Sequence, residues 1–506
     1  MTQAVTVPKA SEAPGASEAR TPDLEAGRPP ERLLWPLLLL GLSLGIGSAL
    51  RLWMATHDDG VFWPDEIYQG LEPSHRLIFG YGIVAWEFQE GARNWAFPGF
   101  IALVLKACQL LGVTDPRTYV MAVRAVFCLV GVATAAATYQ LARSLGAAAL
   151  AAAAGASIFA FAAPAIYFAP RAMSESAAAL LVALGLALAL PPRARSWRLL
   201  LGTVLLALAV FLRLQTAIFG IGLVAVLALR SPRRPALLAL TTFAAGMLLF
   251  GLTDLLTWGS WFHSAIAYLN ANLVHGRSLT WGVSPISYYP KVILTSMGPA
   301  GLLMLGLAAA GLRRSPALFA LAAVFAVAHS LVPHKELRFL LPDLPLLCAL
   351  AALGLDQLSR WAPNRVWRPA AGLVVIAALL SAATFHQLTL KQLGVPVDAG
   401  RPSTNVFDYP GPVNRLLFQA NRRGDLCGMK LESVGLDWTG GYSYLHRRVP
   451  LYQPEGPSRE SGKFNYVITP LARAAGAEVV AVDGDQALAR VSRQSCRPDP
   501  GYTPTI

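Results

Sequence analysis

The sequence predicts an all-α polytopic membrane protein with a small α/β domain at its C-terminal end. Of its 506 residues, 55% are hydrophobic and only 14% are charged, whereas a soluble domain carries about 25% charged residues. The mean hydropathy is +0.48, and runs rich in Leu and Ala recur between residues 33 and 388. Residues 389–506 are polar by comparison, so the chain divides into a membrane part and a domain outside the membrane.

Apolar runs and arginine clusters together predict the topology. About eleven runs are candidates for spans, each of which needs about 20 apolar residues. If the N-terminus is cytoplasmic, this number of spans places every basic cluster in the cytoplasm, as the positive-inside rule requires. The net charge of +13 therefore reflects orientation and does not predict a nucleic-acid partner. The predicted spans are 33–52, 119–141, 147–168, 176–191, 197–212, 216–230, 235–255, 292–311, 316–332, 339–357 and 366–387, and the clusters lie at 143, 193–198, 230–234, 313–314 and 360–368.

The segments outside these spans carry further expectations. Residues 1–32 are polar and rich in Pro, Glu and Arg, which predicts a disordered cytoplasmic tail without a cleavable signal peptide. Residues 55–118 form the first outer loop. Within it, residues 97–113 are too short and too polar for a full crossing, so we expect an interfacial or re-entrant helix.

The C-terminal domain shows strand patterns and two cysteines. The runs 465–469, 478–482 and 487–491 predict strands, and the last two flank a turn at 483–485, as in a hairpin. Outside the cytoplasm Cys427 and Cys496 can form a disulfide, although two free thiols are the alternative. No cysteine and histidine spacing in the chain predicts a zinc site.

A charged motif at 334–339 separates two apolar runs near the end of the membrane part. Ionisable groups cost roughly 2.5–3.5 kcal/mol each at the middle of a span, so such a cluster indicates a function. Lys335 and Arg338 suit a phosphate, which arginine binds through two hydrogen bonds and lysine as a point charge. His334 can donate a hydrogen bond and Glu336 can hold a basic side chain. The alternative is ordinary snorkelling at a span end.

The first outer loop supplies acidic and aromatic side chains. A carboxylate of Asp65 or Glu66 can remove a proton from an acceptor hydroxyl as the hydroxyl attacks. Arg171, in the second outer loop, can contact a phosphate, although pairing with a nearby charge at a helix end is equally compatible with the sequence. An aromatic belt at the membrane interface with solvated charges is the alternative for the first loop. The further candidates for substrate contact are Glu72, His75, Trp86, Glu87 and Arg93.

These residues resemble conserved blocks of glycosyltransferase family 22. The segments Trp63-Pro64-Asp65-Glu66 and Trp86-Glu87 resemble the first lumenal loop of that family, and His334-Lys335-Glu336-Leu337-Arg338-Phe339 resembles its most distinctive motif. The resemblance covers roughly residues 33–350. It implies the type-C glycosyltransferase (GT-C) fold, a lipid-phosphate sugar as donor, a catalytic acid in the first outer loop, and no metal or other cofactor.

From the residues and the resemblance we expect an inverting hexosyltransferase. The predicted donor is a polyprenyl-phosphate hexose, with mannose as the expected sugar, and the predicted acceptor is a glycan or a glycolipid. The predicted location is the outer face of a bacterial inner membrane, with the C-terminal domain in the periplasm or exterior. A transporter or flippase of lipid-linked sugars is the first alternative, and a structural subunit of an envelope complex is the second.

Overall fold

Apolar helices form most of the chain. The computed structural model describes residues 33–230, 233–360, 364–395, 403–493, 496–497 and 502, so the predicted tail 1–32 lies outside the described residues. Within that part the α-helices are α1 (Leu34–His57), α2 (Glu72–Phe79), α3 (Trp86–Gln89), α4 (Ala96–Leu110), α5 (Pro116–Ser144), α6 (Ala149–Phe161), α7 (Ala163–Tyr167), α8 (Ser174–Ala189), α9 (Ser196–Leu212), α10 (Ala217–Ala228), α11 (Arg234–Trp258), α12 (His263–Leu269), α13 (Tyr288–Met297), α14 (Pro299–Gly311), α15 (Pro316–Leu331), α16 (Leu344–Ser359), α17 (Asn364–Ala382), α18 (Leu390–Leu393), α19 (Gly411–Ala420) and α20 (Gly441–Leu445).

Each predicted span contains a helix of the structure, namely α1, α5, α6, α8 to α11, and α14 to α17. Two predicted spans are interrupted: 147–168 breaks at Ala162 between α6 and α7, and 292–311 breaks at Gly298 between α13 and α14. Four helical stretches among the described residues have at least 18 residues and sufficient hydropathy to cross a membrane: α1, α5, α11 and Val366–Gln387. The other apolar helices have 10 to 17 residues. The chain is therefore a multi-pass helical protein, and the number of eleven crossings stays a prediction.

The centre of the helical bundle consists of closely packed small residues. Helix α6 is alanine-rich and almost wholly buried, and it packs against α1, α5, α16 and α17. A Cβ atom on Gly354 of α16 would lie only 1.9 Å from the carbonyl oxygen of Leu307 in α14. Helices approach this closely only where small residues face each other, as is usual in membrane bundles.

The first outer loop contains helices of its own. A helix begins at residue 64, includes a π-helical turn over Glu66–Leu71, and continues as α2. Pro64 suits the first helical position, where no backbone N–H is needed. Because π-helical turns occur frequently at functional sites, the turn after Asp65 is notable. Helix α4 is about 22 Å long and packs against α2 and α5, in the segment predicted to be interfacial or re-entrant.

The C-terminal part contains a mixed five-stranded sheet, which confirms the predicted α/β character. Its strands are β1 (Met429–Leu431), β2 (Leu451–Tyr452), β3 (Tyr466–Pro470), β4 (Glu478–Asp483) and β5 (Gln486–Arg490), in the order β2-β1-β3-β5-β4. Strands β1, β2 and β3 are parallel, whereas β5 pairs antiparallel with β3 and β4. The predicted hairpin is present, because Asp483 pairs with Gln486 across a two-residue turn. Cys427 and Cys496 form the predicted disulfide.

Candidate functional site

An ion pair joins the two motifs singled out in the sequence. Nη2 of Arg338 lies 2.6 Å from Oδ2 of Asp65, although the residues are 273 positions apart. Asp65 sits at the start of the π-helical turn, and Arg338 lies in the 3-10 helix Leu337–Leu340, just before the N-terminus of α16. The Asp65 side chain retains 28% exposure, so it is partly accessible from outside the protein.

Arg338 is held by two further carboxylates. Its Nε donates to Oε2 of Glu336 at 2.6 Å, and its Nη1 donates to Oε1 of Glu175 at 3.2 Å. Glu175, at the start of α8, also pairs with Arg213 at 3.3 Å. Burial alone would raise the pKa of Glu336, but Arg338 and the hydrogen bond with His334 outweigh it and hold this pKa at about 2. The carboxylates thus fix the orientation of the guanidinium toward Asp65.

His334 and Lys335 are bound to the loop that precedes α13. The ring of His334 bridges the carbonyl oxygen of Gly282 at 3.2 Å and Glu336 at 2.9 Å. Nζ of Lys335 donates to the carbonyl oxygens of Ser284 at 2.8 Å and Pro333 at 3.4 Å. Lys335 is only 3% exposed, and within the described ranges it forms no ion pair with a carboxylate. Its partners are therefore neutral groups.

Arg171 organises a second, buried charge cluster beside Asp65. Its guanidinium contacts Oε1 of Glu66 at 2.6 Å and Oδ2 of Asp58 at 2.7 Å. Burial raises the pKa of both carboxyl groups, against the opposite effect of Arg171. The side chain of Glu66 is 10% exposed, compared with 28% for Asp65. Asp65 is consequently the more accessible of the two candidate bases, and Arg171 is occupied by protein carboxylates.

The three other candidates of the first outer loop are Trp86, Glu87 and Arg93. Glu87 contacts the π-helical turn through Gln69. Oε1 of Glu87 accepts a hydrogen bond from Gln69 at 2.8 Å and lies 3.9 Å from Arg93. The charge of Asp65 contributes to a raised pKa of Glu87, although burial is the main cause. The guanidinium of Arg277 lies 3.9 Å from the centre of the Trp86 ring, so a cation of this chain covers that ring.

Glu72 and His75, candidates for substrate contact, lie where the first outer loop meets the C-terminal domain. Glu72 is fully buried; its Oε1 accepts from the backbone and hydroxyl of Ser443, and its Oε2 accepts from the backbone of Ile83. His75 contacts His446 at 2.9 Å through Nε2. The two side chains hold the first outer loop to α20 of the C-terminal domain. At this place they are docking residues, and we do not propose them as substrate contacts.

The docking residues are expected to have opposing pH dependences. Burial raises the pKa of Glu72 to about 7, against the hydrogen bonds that lower it, and burial lowers the pKa of His75 to about 3. In the docked state the C-terminal domain contacts the first outer loop, and in the undocked state these contacts are broken. As pH falls from 7 to 4.5, the docked state takes up a proton at Glu72 and gains stability relative to the undocked state. As pH falls below 6.5, the undocked state takes up a proton at His75, so docking loses stability.

We therefore expect that Glu72→Gln makes docking sensitive to acid between pH 6.5 and 4.5, whereas docking of the wild type changes little. Amide hydrogen exchange of a peptide covering 436–446, corrected for the intrinsic pH dependence, measures this. In the double variant Glu72→Gln, His75→Gln the acid sensitivity should diminish again, with a residual part from His446, whose pKa burial also lowers. Identical pH profiles for Glu72→Gln and wild type would contradict the prediction.

A third charge cluster was not found from the sequence. Asp59 pairs with Arg124 at 3.1 Å and with Arg117 at 3.2 Å. Arg415 pairs with Asp408 at 2.8 Å and with Asp483 at 2.9 Å, and lies 3.8 Å from Asp59. A signal existed for Arg124, because a charge inside an apolar run indicates a function or a buried partner. No local pattern reveals that Arg124 also donates to the hydroxyl of Tyr444 in the C-terminal domain, at 2.9 Å.

Comparison with known proteins agrees with this architecture. Residues 45–409 match the model of the Alg9-like mannosyltransferase family. GPI mannosyltransferase 3 of Yarrowia lipolytica is 32% identical over 355 residues, which are 66% of this chain and 66% of that protein. GPI alpha-1,2-mannosyltransferase 3 of Danio rerio is 26% identical over 65% of this chain and 62% of its own length. The match thus spans slightly less than two thirds of these relatives.

Solved structures support the expected GT-C fold. ArnT from Cupriavidus metallidurans, solved with undecaprenyl phosphate bound, superposes with a TM-score of 0.60 at 14% identity, covering 93% of this chain and 100% of that one. The apo oligosaccharyltransferase of Archaeoglobus fulgidus gives a TM-score of 0.54 at 14% identity, over 87% of this chain and 70% of that one. At such identities the likeness shows the fold alone. The family match covers most of the chain, and the protein therefore belongs to the Alg9-like mannosyltransferase family.

Proposed function

We propose that this protein is an inverting mannosyltransferase. It transfers a hexose, with mannose as the expected sugar, from a polyprenyl-phosphate donor to a hydroxyl group of a glycan or glycolipid at the outer face of the membrane. The ion pair between Asp65 and Arg338 carries the proposal, because it brings an accessible carboxylate to the cationic motif. Family membership supports the reaction class.

Asp65 acts as the general base in the proposed reaction. It accepts the proton of the acceptor hydroxyl while the hydroxyl oxygen forms a bond to the anomeric carbon of the hexose. The bond between that carbon and the phosphate oxygen breaks on the opposite face, and polyprenyl phosphate leaves with the electron pair. Attack from the opposite face inverts the linkage. Glu66, held by Arg171, orients the first turn of the helix that carries Asp65.

Lys335 is the cation best placed to receive the leaving phosphate. Arg338 is already surrounded by three carboxylates, whereas Lys335 contacts only backbone carbonyl groups. Exchanging a carbonyl for a charged phosphate strengthens the hydrogen bond, since charge-assisted bonds are roughly twice as strong as neutral ones. Arg338 adds positive charge nearby, His334 holds Glu336 in place, and such preorganised groups supply a large part of catalysis.

The disulfide supports the outer-face location. Disulfides persist in the periplasm and outside the cell and are rare in the cytoplasm, and the bond between Cys427 and Cys496 lies in the C-terminal domain. That domain contacts the first outer loop through Glu72 and His75. A bacterial inner membrane with the site facing the periplasm or exterior is consistent with both observations and with the arginine pattern.

A purified-protein assay tests the proposal against the flippase alternative. The full chain, reconstituted in vesicles, is supplied with polyprenyl-phosphate mannose labelled in the sugar, together with candidate glycan and glycolipid acceptors. Transfer of label to an acceptor with release of polyprenyl phosphate supports the transferase. Movement of the intact donor across the vesicle membrane without cleavage of its sugar–phosphate bond would instead indicate a flippase and overturn the proposal.

Arg338→Lys is expected to lower kcat by roughly 10²–10³, the loss seen when one preorganised donor is removed from an active site. Lysine retains the charge but cannot contact three carboxylates in the fixed geometry of a guanidinium group. Arg493→Lys serves as the matched control, because Arg493 has an 80% exposed side chain and, among the residues that the structure describes, its ion-pair partner is Glu478 in the C-terminal domain. Unchanged kcat for Arg338→Lys would remove Arg338 from the proposed site.

A further inference from the structure

Residues 260–287, which connect α11 to α13, expose a concentrated apolar surface, and we call them the apolar loop. Six large apolar side chains of this loop are each at least 55% exposed. Among the described residues 403–493 of the C-terminal domain, by contrast, the large apolar side chains are at most 50% exposed. Exposed apolar patches mark surfaces that contact a partner or a membrane. The six residues are Ile266, Leu273, Val274, Trp281, Val283 and Ile286.

The apolar loop carries very little charge. Arg277 is its single Lys, Arg, Asp or Glu residue, and the nearest acidic residues along the chain are Asp254 and Glu336. The guanidinium of Arg277 is already engaged, because it lies 2.8 Å from Glu90 and 3.9 Å from the centre of the Trp86 ring. An unpaired charge is the costliest group to transfer from water to an apolar medium. The composition of the loop therefore permits it to enter lipid.

Most of the backbone of the apolar loop is helical. It forms α12, a second π-helical turn over Asn270–Val274, and a 3-10 helix over Arg277–Trp281. The N–H of His275 donates to the carbonyl oxygen of Asn270 at 2.8 Å and so closes the π-helical turn. Backbone groups beside lipid need hydrogen-bond partners within the protein, since no water is available there. This stretch of the loop meets that requirement by itself.

The irregular end of the apolar loop lies against the charged motif. The carbonyl oxygen of Gly282 contacts the ring of His334 at 3.2 Å, and that of Ser284 accepts from Lys335 at 2.8 Å. The backbone N–H of Ser284 donates to Pro333 at 3.0 Å. The motif thus supplies the partners that this part of the loop needs beside lipid. The depth of the loop in a membrane consequently determines the depth of Lys335.

Exposed apolar residues of neighbouring helices continue the surface at both ends of the loop. Leu256, near the C-terminus of α11, is 77% exposed, and Leu331, the last residue of α15, is 69% exposed. Helix α11 is one of those that are long and apolar enough to cross a membrane. Leu331 lies two residues before Pro333, which contacts the loop. The apolar loop therefore extends a surface that lipid covers in a multi-pass protein.

We propose that the apolar loop is embedded in the outer leaflet of the membrane, where its six exposed side chains contact lipid acyl chains. Trp281 suits this place, because tryptophan is enriched at the boundary between headgroups and acyl chains. Interfacial segments reach roughly 5–10 Å into that boundary, so the loop holds Lys335 near the level of the lipid phosphates. This surface goes beyond the proposed function and does not depend on it.

Fluorescence quenching tests the surface without requiring catalysis. The full chain carries Val274→Cys or Val283→Cys, labelled with the environment-sensitive dye nitrobenzoxadiazole, in nanodiscs that each hold one copy of the protein. The native free cysteines are buried, and the wild type gives the labelling background. Val482→Cys, at a 50% exposed valine of the C-terminal domain, is the matched control. The quenchers are phosphatidylcholine with a doxyl group at carbon 5 or carbon 12 of the acyl chain, and iodide in the water.

The 5-doxyl lipid is expected to quench the dye on Val274→Cys and Val283→Cys severalfold more than on Val482→Cys, and more than the 12-doxyl lipid does. Iodide should quench mainly the dye on Val482→Cys. Equal quenching of all three variants by iodide, with none by the doxyl lipids, would show that the loop lies in water and would overturn the proposal. Protection from both kinds of quencher would show that protein covers the surface, which also overturns it. Stronger quenching by the 12-doxyl lipid would contradict the level assigned to Lys335.

Discussion

Asp65→Asn is expected to reduce hexose transfer by roughly 10²–10⁴, the usual contribution of a general base. Asparagine preserves the shape of the side chain but cannot accept the proton of the acceptor hydroxyl. It also removes the charge that Arg338 contacts at 2.6 Å, so Arg338 loses one of its three carboxylate partners. Because Asp65 is partly exposed, the loss should fall mainly on activity. Initial rates of transfer from polyprenyl-phosphate mannose measure it.

Glu478→Gln is the control for this substitution. It makes the same change from carboxylate to amide at a 49% exposed side chain on β4, far from the site in sequence, whose ion-pair partner within the described ranges is Arg493. We expect its rate to equal that of the wild type, and we expect both variants to be recovered from the membrane in normal amounts. Full activity of Asp65→Asn at correct expression would rule out Asp65 as the base.

Arg171→Met is expected to destabilise the folded protein by about 3–5 kcal/mol, the cost of removing one partner from a buried ion pair. The guanidinium of Arg171 is the cation that contacts both Asp58 and Glu66, and all three side chains are at most 10% exposed. Methionine fills a similar volume and can keep contact with the ring of Tyr167. In the wild type the Cζ atom of Arg171 lies 4.3 Å from the centre of that ring. The expected loss is therefore mainly electrostatic.

The stability change is measured as the temperature at which half of the monomer is lost from size-exclusion chromatography after heating in detergent. The triple variant Asp58→Asn, Glu66→Gln, Arg171→Met removes the uncompensated charges and should recover most of the lost stability, since an apolar or neutral replacement of a whole buried cluster is often close to neutral. If Arg171→Met alone melts like the wild type, the cluster does not contribute as described.

Helices and motifs were the parts of the structure that the sequence could predict. Membrane spans are recognised from local apolar composition, and each predicted run contains a helix. The strands near 466 and 487 were recognisable from alternation and a turn. The importance of the segments at 65 and 335 was visible because charges beside apolar runs are costly. Their mutual contact, between Asp65 and Arg338, was a hypothesis that depended on an assumed topology.

The docking of the C-terminal domain could not be predicted, for a physical reason. Glu72 looks like an available carboxylate in the sequence, but its Oε1 accepts from the backbone and hydroxyl of Ser443, 371 residues away, and its Oε2 accepts from the backbone of Ile83. Arg415 contacts Asp408 and Asp483. Such pairings depend on how two distant segments meet in space, and neither composition nor periodicity encodes that. From the sequence, a charged residue such as Glu72 can therefore not be assigned either to a substrate or to another part of the chain.

The contact between residues 58–60 and 408–409 has a consequence for how the protein is made. The backbone N–H of Asp59 donates to Asp408 and the backbone N–H of Asp408 donates to Asp58, both at 3.0 Å. A Cβ on Gly60 would lie 2.4 Å from the nitrogen of Tyr409, so only glycine allows this approach. During translation the early loop cannot form these contacts until a segment about 350 residues later has been synthesised. A nascent chain that ends before residue 408 therefore lacks the partners of residues 58–60.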